Sequence, residues 1–139
     1  MNKNEFEEKL GIYYRDHSSL LDLDIILEGV IDKGWESEIF IFSLTYGPKP
    51  NRTAVKRALR LLTGGDFTSA KGEYRTLSLL RKAGYPVPQV YELGKPEEAF
   101  GRPFIIMQYI QPGEHPYRLP ETPEEDQKTL RAFVALFRR

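Results

Sequence analysis

The chain has 139 residues, with 20 basic and 20 acidic side chains, 40% apolar residues and no cysteine. This length fits one domain or a large part of one, and the balanced charge argues against a general nucleic-acid or membrane-surface binder. Without cysteine, the chain has neither disulfides nor thiolate metal sites. The acidic N-terminus and the lack of an apolar run of about 18 residues argue against a signal peptide or a membrane span, so we expect a cytoplasmic protein.

Hydrophobic spacing and turn residues divide the chain into helices and strands. The chain begins with a predicted helix over 4–15, capped by Asn4, and a hairpin over 24–44 with its turn at 32–37. A polar turn over 45–52, a strand over 53–62 and a helix from about 66 to 83 follow. The last predicted elements are strands over 89–93 and 104–110, a linker over 111–121, and a helix opened by the capping box at 122–125. This order predicts an α+β fold. We expect a five-stranded antiparallel sheet with one helix inserted after the third strand, plus N-terminal and C-terminal helices.

Two charged residues fall on faces that are predicted to be apolar. Arg60 lies within a run of leucines on the third strand and shares a face with Ala58 by alternation. Glu73 lies on the same face of the next helix as Leu77 and Leu80. Because a charge on a buried face costs free energy unless it is paired, we expect Arg60 and Glu73 to contact each other.

Both residues also have an ordinary interpretation. Arg60 could face solvent on a half-buried strand, and Lys56 is a second candidate cation on the same face of that strand. Glu73 could be an exposed helical acid that pairs with Lys71 or Arg75.

Four segments resemble the N-terminal lobe of the aminoglycoside phosphotransferase family, the small-molecule branch of the protein-kinase-like fold. They are GWESEIFIF (34–42), ALRLLTGG (58–65), GEYRTLSLLRKAGYPVPQVYELG (72–94) and FGRPFIIMQYIQPGE (100–114). The last two are the most specific, because no generic helix–strand pair needs GYPVP followed by GRPFIIM. The resemblance covers nearly the whole chain, most clearly residues 24–113. It implies a kinase-like lobe over 1–113, beginning with a helical segment over 1–23, and then a linker and first helix over 114–139 that lead toward a second lobe.

The resemblance implies a site for ATP or GTP, with magnesium in the complete enzyme. The arginine would grip the α- and β-phosphates, the glutamate would orient it, the glycine-containing turn would cover the phosphates, and the end of the last strand would hold the base. The implied cofactor-binding residues are Gly34, Trp35, Glu36, Ser37, Ala58, Arg60, Glu73, Met107, Gln108, Tyr109 and Ile110. For the turn, a plain hairpin is an equally open interpretation, and Met107 and Ile110 could be ordinary core residues.

The family's catalytic His-Gly-Asp signature does not occur in these residues, since His17 precedes Ser18 and His115 precedes Pro116. The later aspartate that would hold magnesium is also missing, so we assign no catalytic or metal-binding residue. We therefore expect a nucleotide-binding lobe that is not catalytic alone. The alternatives are a non-catalytic binding or scaffolding module, or one half of a split kinase whose C-terminal lobe binds in trans. The apolar stripe at 130–137 could also mediate self-association.

Overall fold

The computed structural model describes residues 1–31, 37–62 and 66–110, and these residues form two helices and five strands. The elements are α1 (Lys3–His17), β1 (Asp24–Ile31), β2 (Ser37–Tyr46), β3 (Thr53–Leu62), α2 (Phe67–Lys82), β4 (Val90–Gly94) and β5 (Phe104–Gln108). Neither of these two helices is long and apolar enough to cross a lipid bilayer.

The five strands form one antiparallel sheet in the order β1-β2-β3-β5-β4, and α2 connects β3 to β4. The predicted α+β fold, with a five-stranded antiparallel sheet and a helix after the third strand, is confirmed. Residues 32–36 of the turn predicted at 32–37, the linker and the C-terminal helix lie outside the described residues.

One face of the sheet is covered by α1 and holds the larger core, and we call it the α1 face. The helix contributes Phe6, whose ring stacks on Phe40 of β2 with centroids 4.8 Å apart. The other buried members of this cluster are Leu10, Tyr13, Tyr14, Phe42, Leu44, Leu59, Leu61, Phe104 and Ile106. The predicted N-terminal helix is therefore present and packs on the sheet.

The start of α1 differs from the prediction. Asn2, and not Asn4, is the N-cap, and its side-chain oxygen accepts a hydrogen bond from the backbone N–H of Glu5 at 2.8 Å. Asn4 was therefore the wrong cap and lies within the helix. Both asparagines can cap by composition, and the choice of Asn2 starts the helix nearly one turn before Phe6, so that Phe6 is placed within regular helix on the buried side.

The opposite face of the sheet carries Arg60, and we call it the Arg60 face. Helix α2 packs here through Leu77 and Leu80, which lie against Val87 and Met107. Asp66 caps the helix by accepting a hydrogen bond from the N–H of Thr68.

The last two strands are shifted slightly from their predicted bounds. β5 ends at Gln108, two residues before the predicted end, and β4 runs from Val90 to Gly94 rather than over 89–93. Gln108 is the last residue of β5 paired with β3, opposite Arg57. The prediction extended this strand to residue 110 because the sequence stays apolar, although its pairing with β3 stops at Gln108.

Candidate functional site

Arg60 of β3 and Glu73 of α2 meet on the Arg60 face. The Arg60 Nη1 atom donates to Glu73 Oε1 in an ion pair, and the two side chains keep 23% and 19% of their accessible surface. Glu73 is on the second turn of α2, one turn before Leu77, so the same packing that buries Leu77 brings the carboxylate over β3. The contact predicted from the sequence is present, and its geometry is that of a partly desolvated, charge-assisted hydrogen bond.

Ala58 lies two residues before Arg60 on the same face and is 7% exposed. Its partners across the ladder are Ile41 on β2 and Met107 on β5. Because directly opposite residues of antiparallel strands share a face, these three side chains form a row next to the row that contains Arg60. A methyl group at the centre of this row leaves more room above the sheet than a larger side chain would.

The Arg60 face is covered unevenly among the described residues. Helix α2 packs over the β4 and β5 side of the face. On β1, Ile26 and Ile31 keep 51% and 47% of their accessible surface. The row of Ile41, Ala58 and Met107 therefore runs from the covered half of the face toward the open half.

Lys56 is engaged at the other end of β3, roughly 13 Å from Arg60 at about 3.3 Å per residue. Its Nζ atom lies 2.8 Å from Glu28 Oε2 and 5.4 Å from the centre of the Tyr109 ring. Glu28 also accepts a hydrogen bond from Ser43 Oγ. The hydrogen bond from Lys56 holds the pKa of Glu28 below its usual value, and Glu28 in turn raises the pKa of Lys56.

Sequence reasoning missed Glu28, which lies at an irregularity in β1. The pairing register of β1 with β2 shifts between Leu27 and Gly29, so Glu28 is an extra residue that has no partner across the ladder. A bulge of this kind can redirect a side chain and changes the phase of the residues that follow. No sequence pattern in this segment predicted it.

The predicted hinge begins at Gln108, whose backbone N–H and side-chain oxygen both form hydrogen bonds with neighbouring residues. Its N–H donates to Gln89 O at 2.7 Å. Its side-chain oxygen accepts from the N–H of Gln89 at 3.2 Å and from Arg81 Nη1 at 3.3 Å. The same Arg81 atom donates to Val87 O at 3.0 Å. The backbone partners for a base would therefore come from beyond the Gln108 N–H, at Tyr109 and Ile110.

The residues predicted to cover the phosphates are only partly within the described chain. Gly34, Trp35 and Glu36 lie outside it, and Ser37 is described only through its backbone, as the first residue of β2. Ser37 pairs with Leu62, two residues beyond Arg60. The register therefore places the start of β2 at the Arg60 end of β3.

A separate surface groove of about 730 Å³ lies at the opposite end of β3, between residues 20–24 and residues 48–52. Arg52 lines it and donates to Asp22 O at 2.6 Å and to Asp24 Oδ2 at 3.1 Å. The groove contains none of the predicted site residues. Arg52 joins the α1–β1 connection to the β2–β3 turn through its bonds to Asp22 O and Gly47 O.

A five-stranded antiparallel sheet, a helix after the third strand, and a strand cation paired with a helix acid together define a kinase-like N-terminal lobe. The chain belongs to the phosphotransferase enzyme family (APH), whose sequence model matches residues 30–139. The resemblance seen in the sequence is thereby confirmed. Comparison with curated proteins finds no significant match.

Proposed function

We propose that this chain is the ATP- or GTP-binding lobe of a small-molecule phosphotransferase, and that it does not transfer phosphate by itself. The ion pair between Arg60 and Glu73 carries the proposal. It joins a strand cation to a helix acid on the half-open face of the sheet, in a chain that belongs to a phosphotransferase family. In kinase-like proteins, such a pair holds the cation that contacts the nucleotide phosphates.

The chemistry of arginine suits this role. A guanidinium has five N–H donors in a planar fork that suits phosphate oxygens, and Arg60 uses Nη1 to bind Glu73. The Glu73 contact restricts the rotamers of the long arginine side chain, which lowers the entropy cost of ordering it around a ligand. Partial burial strengthens both interactions relative to a fully solvated cation.

The base would lie beside Arg60, along the row of Ile41, Ala58 and Met107. Apolar side chains suit the flat face of a purine, while a few polar groups fix its orientation. In this proposal, backbone groups of Tyr109 and Ile110 bind the edge of the base. Because these contacts use the backbone and not the side chains of Tyr109 and Ile110, the proposal does not distinguish ATP from GTP.

The family generally uses magnesium with the nucleotide, and the ion would neutralise phosphate charge. Among residues 1–31, 37–62 and 66–110, no group of three or more metal-binding side chains occurs. Because the described residues hold no such group, magnesium would arrive with the nucleotide, whose phosphates the Arg60–Glu73 pair fits. Because part of the ligand's contacts would come from a second lobe, we expect binding with a dissociation constant no better than roughly millimolar, about −4 kcal/mol. Without the His-Gly-Asp signature in these residues, we expect no phosphate transfer.

The test is an NMR titration of the 139-residue chain with magnesium-ATP and magnesium-GTP. We expect the signals of Arg60 and Met107 to shift at millimolar nucleotide. Arg60→Met should weaken binding about tenfold, by loss of charge-assisted hydrogen bonds. Arg75→Met, which removes an exposed cation from α2, is the matched control and should bind as the wild type does. If no signal near Arg60 or Met107 shifts at millimolar nucleotide, the proposal is wrong.

A further inference from the structure

Helix α2 is held to the sheet by polar contacts at both ends. Near its start, Glu73 binds Arg60, and in its last turn Arg81 binds Gln108 and Val87. Eight residues separate Glu73 from Arg81, which is about 12 Å along the helix axis. The first contact reaches the phosphate end of the proposed nucleotide site, and the second reaches its base end.

The contacts between these two points restrict the helix less sharply. Leu77 and Leu80 supply apolar burial, which is not directional and tolerates small shifts of the helix along its axis. The hydroxyl of Tyr74 donates to Tyr91 O at 3.4 Å, which is long for a hydrogen bond of this type. The Glu73–Arg60 ion pair, the Arg81–Gln108 bond and the longer Tyr74 bond are therefore the directional contacts that can fix α2 along its axis.

The contact at the base end also fixes the hinge itself. The side-chain oxygen of Gln108 accepts from both Arg81 and the N–H of Gln89, while the Gln108 N–H donates to Gln89 O at 2.7 Å. These bonds turn the Gln108 side chain toward α2 and hold the backbone at the point where β5 ends. The residues that follow are Tyr109 and Ile110, the proposed partners of the base.

We propose that Arg81 and Gln108 are positioning residues that couple the two ends of the nucleotide site through α2. This inference rests on the proposed function for its consequence in binding, although the coupling itself is a property of the free protein. Loss of the Arg81–Gln108 contact lets the end of α2 move away from the hinge. The shift loosens the Glu73–Arg60 pair and misplaces the backbone of the hinge.

Spatial connection alone does not demonstrate coupling, so the test compares matched variants. Arg81→Met removes the donor, and Gln108→Met removes the acceptor. Lys82→Met is the control for charge, because Lys82 is the other cation in the last turn of α2. Gln108→Glu is the rescue variant, since it keeps an acceptor oxygen for both Arg81 and Gln89.

The first measurement is the exchange of the Arg60 side-chain N–H with solvent, followed by NMR in the free protein. We expect Arg81→Met and Gln108→Met each to raise this rate about threefold to tenfold, the loss of roughly one side-chain hydrogen bond. Lys82→Met and Gln108→Glu should stay within about twofold of the wild type. Each single variant removes the shared Arg81–Gln108 contact and one further bond, to Val87 O or from the Gln89 N–H. The double variant Arg81→Met/Gln108→Met should therefore raise the rate by less than the product of the two single effects.

The second measurement is the dissociation constant for magnesium-ATP, which should rise by the same factor in the same variants. The proposal is overturned if Arg60 exchange is unchanged in folded Arg81→Met and Gln108→Met, or if Lys82→Met has an equal effect. If Arg81→Met does not fold, the comparison of Gln108→Met with Gln108→Glu decides. If the wild type does not bind ATP, the proposed function fails, but the exchange measurement still decides whether the coupling exists.

Discussion

Gly94 ends β4 against the ring of Phe104, its partner on β5. A Cβ atom built at Gly94 would overlap the ring of Phe104, which is fully buried. Glycine is therefore required here by close packing rather than by an unusual backbone angle. Gly72, within α2, is the opposite case, because an added Cβ would meet nothing within 4 Å.

These two glycines give a matched pair of predictions. Gly94→Ala should destabilise the protein by about 1–3 kcal/mol, because Phe104 lies in a closed core and cannot move aside without strain. Gly72→Ala should stabilise it by about 0.5–1 kcal/mol, since alanine lowers the entropy cost of forming the helix. Urea unfolding of both variants and the wild type measures the two changes. Equal effects of the two substitutions would contradict this description of the core.

At the scale of the elements, α1 is an integral part of the lobe. The family match begins at residue 30, so α1 and most of β1 precede it. Phe6 and Leu10 are nevertheless fully buried against the sheet. In addition, Glu7 accepts a hydrogen bond from the N–H of Leu27 at 2.8 Å, which satisfies a backbone donor on the edge strand β1.

The contact between α1 and β4 contains a partly desolvated carboxylate, that of Glu92. Glu92 Oε2 is buried and has no hydrogen-bond partner among the described residues. Burial raises the pKa of Glu92, and the charge of Glu98 acts in the same direction, while His17 and the Tyr14 hydroxyl lower it. The Nε2 atom of His17 lies 2.9 Å from Glu98 Oε2. The folded protein therefore favours the protonated form of Glu92 more than the unfolded chain does.

The sign of the pH effect follows from this raised pKa. The folded state holds the proton more tightly than the unfolded state, so the contribution of Glu92 to stability falls as the pH rises from 4.5 through the raised value. Glu92→Gln removes the charge, so it should raise the melting temperature at pH 7 and change it less at pH 4. Thermal unfolding at the two pH values checks the prediction.

The control for this prediction is Glu97→Gln, which removes an exposed acid from the loop after β4. It should leave the melting temperature nearly unchanged at both pH values, because an exposed charge is solvated in the folded and unfolded states alike. If Glu92→Gln is destabilising at pH 7, or if its effect is independent of pH, the assignment of a desolvated charge to Glu92 is wrong.

At the scale of the whole molecule, the balanced charge leaves apolar contacts as the main route to association. The sequence predicts a helix after residue 122 with a stripe of Leu130, Phe133, Val134 and Phe137, which lie outside the described residues. In a complete relative, this stripe would pack on a C-terminal lobe. We therefore propose that the 139-residue chain either binds such a lobe in trans or self-associates through the stripe.

Light scattering tests this association. We expect the isolated chain to have a mean mass above the 16.1 kDa of the monomer. Phe133→Asp should shift it toward the monomer, because a charge in an apolar contact is costly to desolvate. Arg131→Asp, which changes a charge off the stripe, should have little effect. A wild-type chain that is monomeric at all concentrations would contradict self-association.

The sequence alone determined the order and type of the elements within residues 1–110, but not all of their ends, and one long-range contact. The alternation over residues 53–62 and the spacing of Glu73 with Leu77 are local patterns, and each reports which side of its element is buried. Two opposite charges on buried sides must be paired, which is why the contact between Arg60 and Glu73 could be predicted without coordinates.

Only the tertiary structure decided the remaining partners. Three features depend on how separate elements are shifted against one another. They are the bulge at Glu28, the two hydrogen bonds accepted by the Gln108 side chain, and the burial of Glu92. A shift of one residue in register changes which polar groups meet but leaves the local hydrophobic pattern of each element unchanged. For that reason the sequence identified the charged pair on the Arg60 face, whereas the partners of Glu28, Gln108 and Glu92 emerged only from the packed sheet and helices.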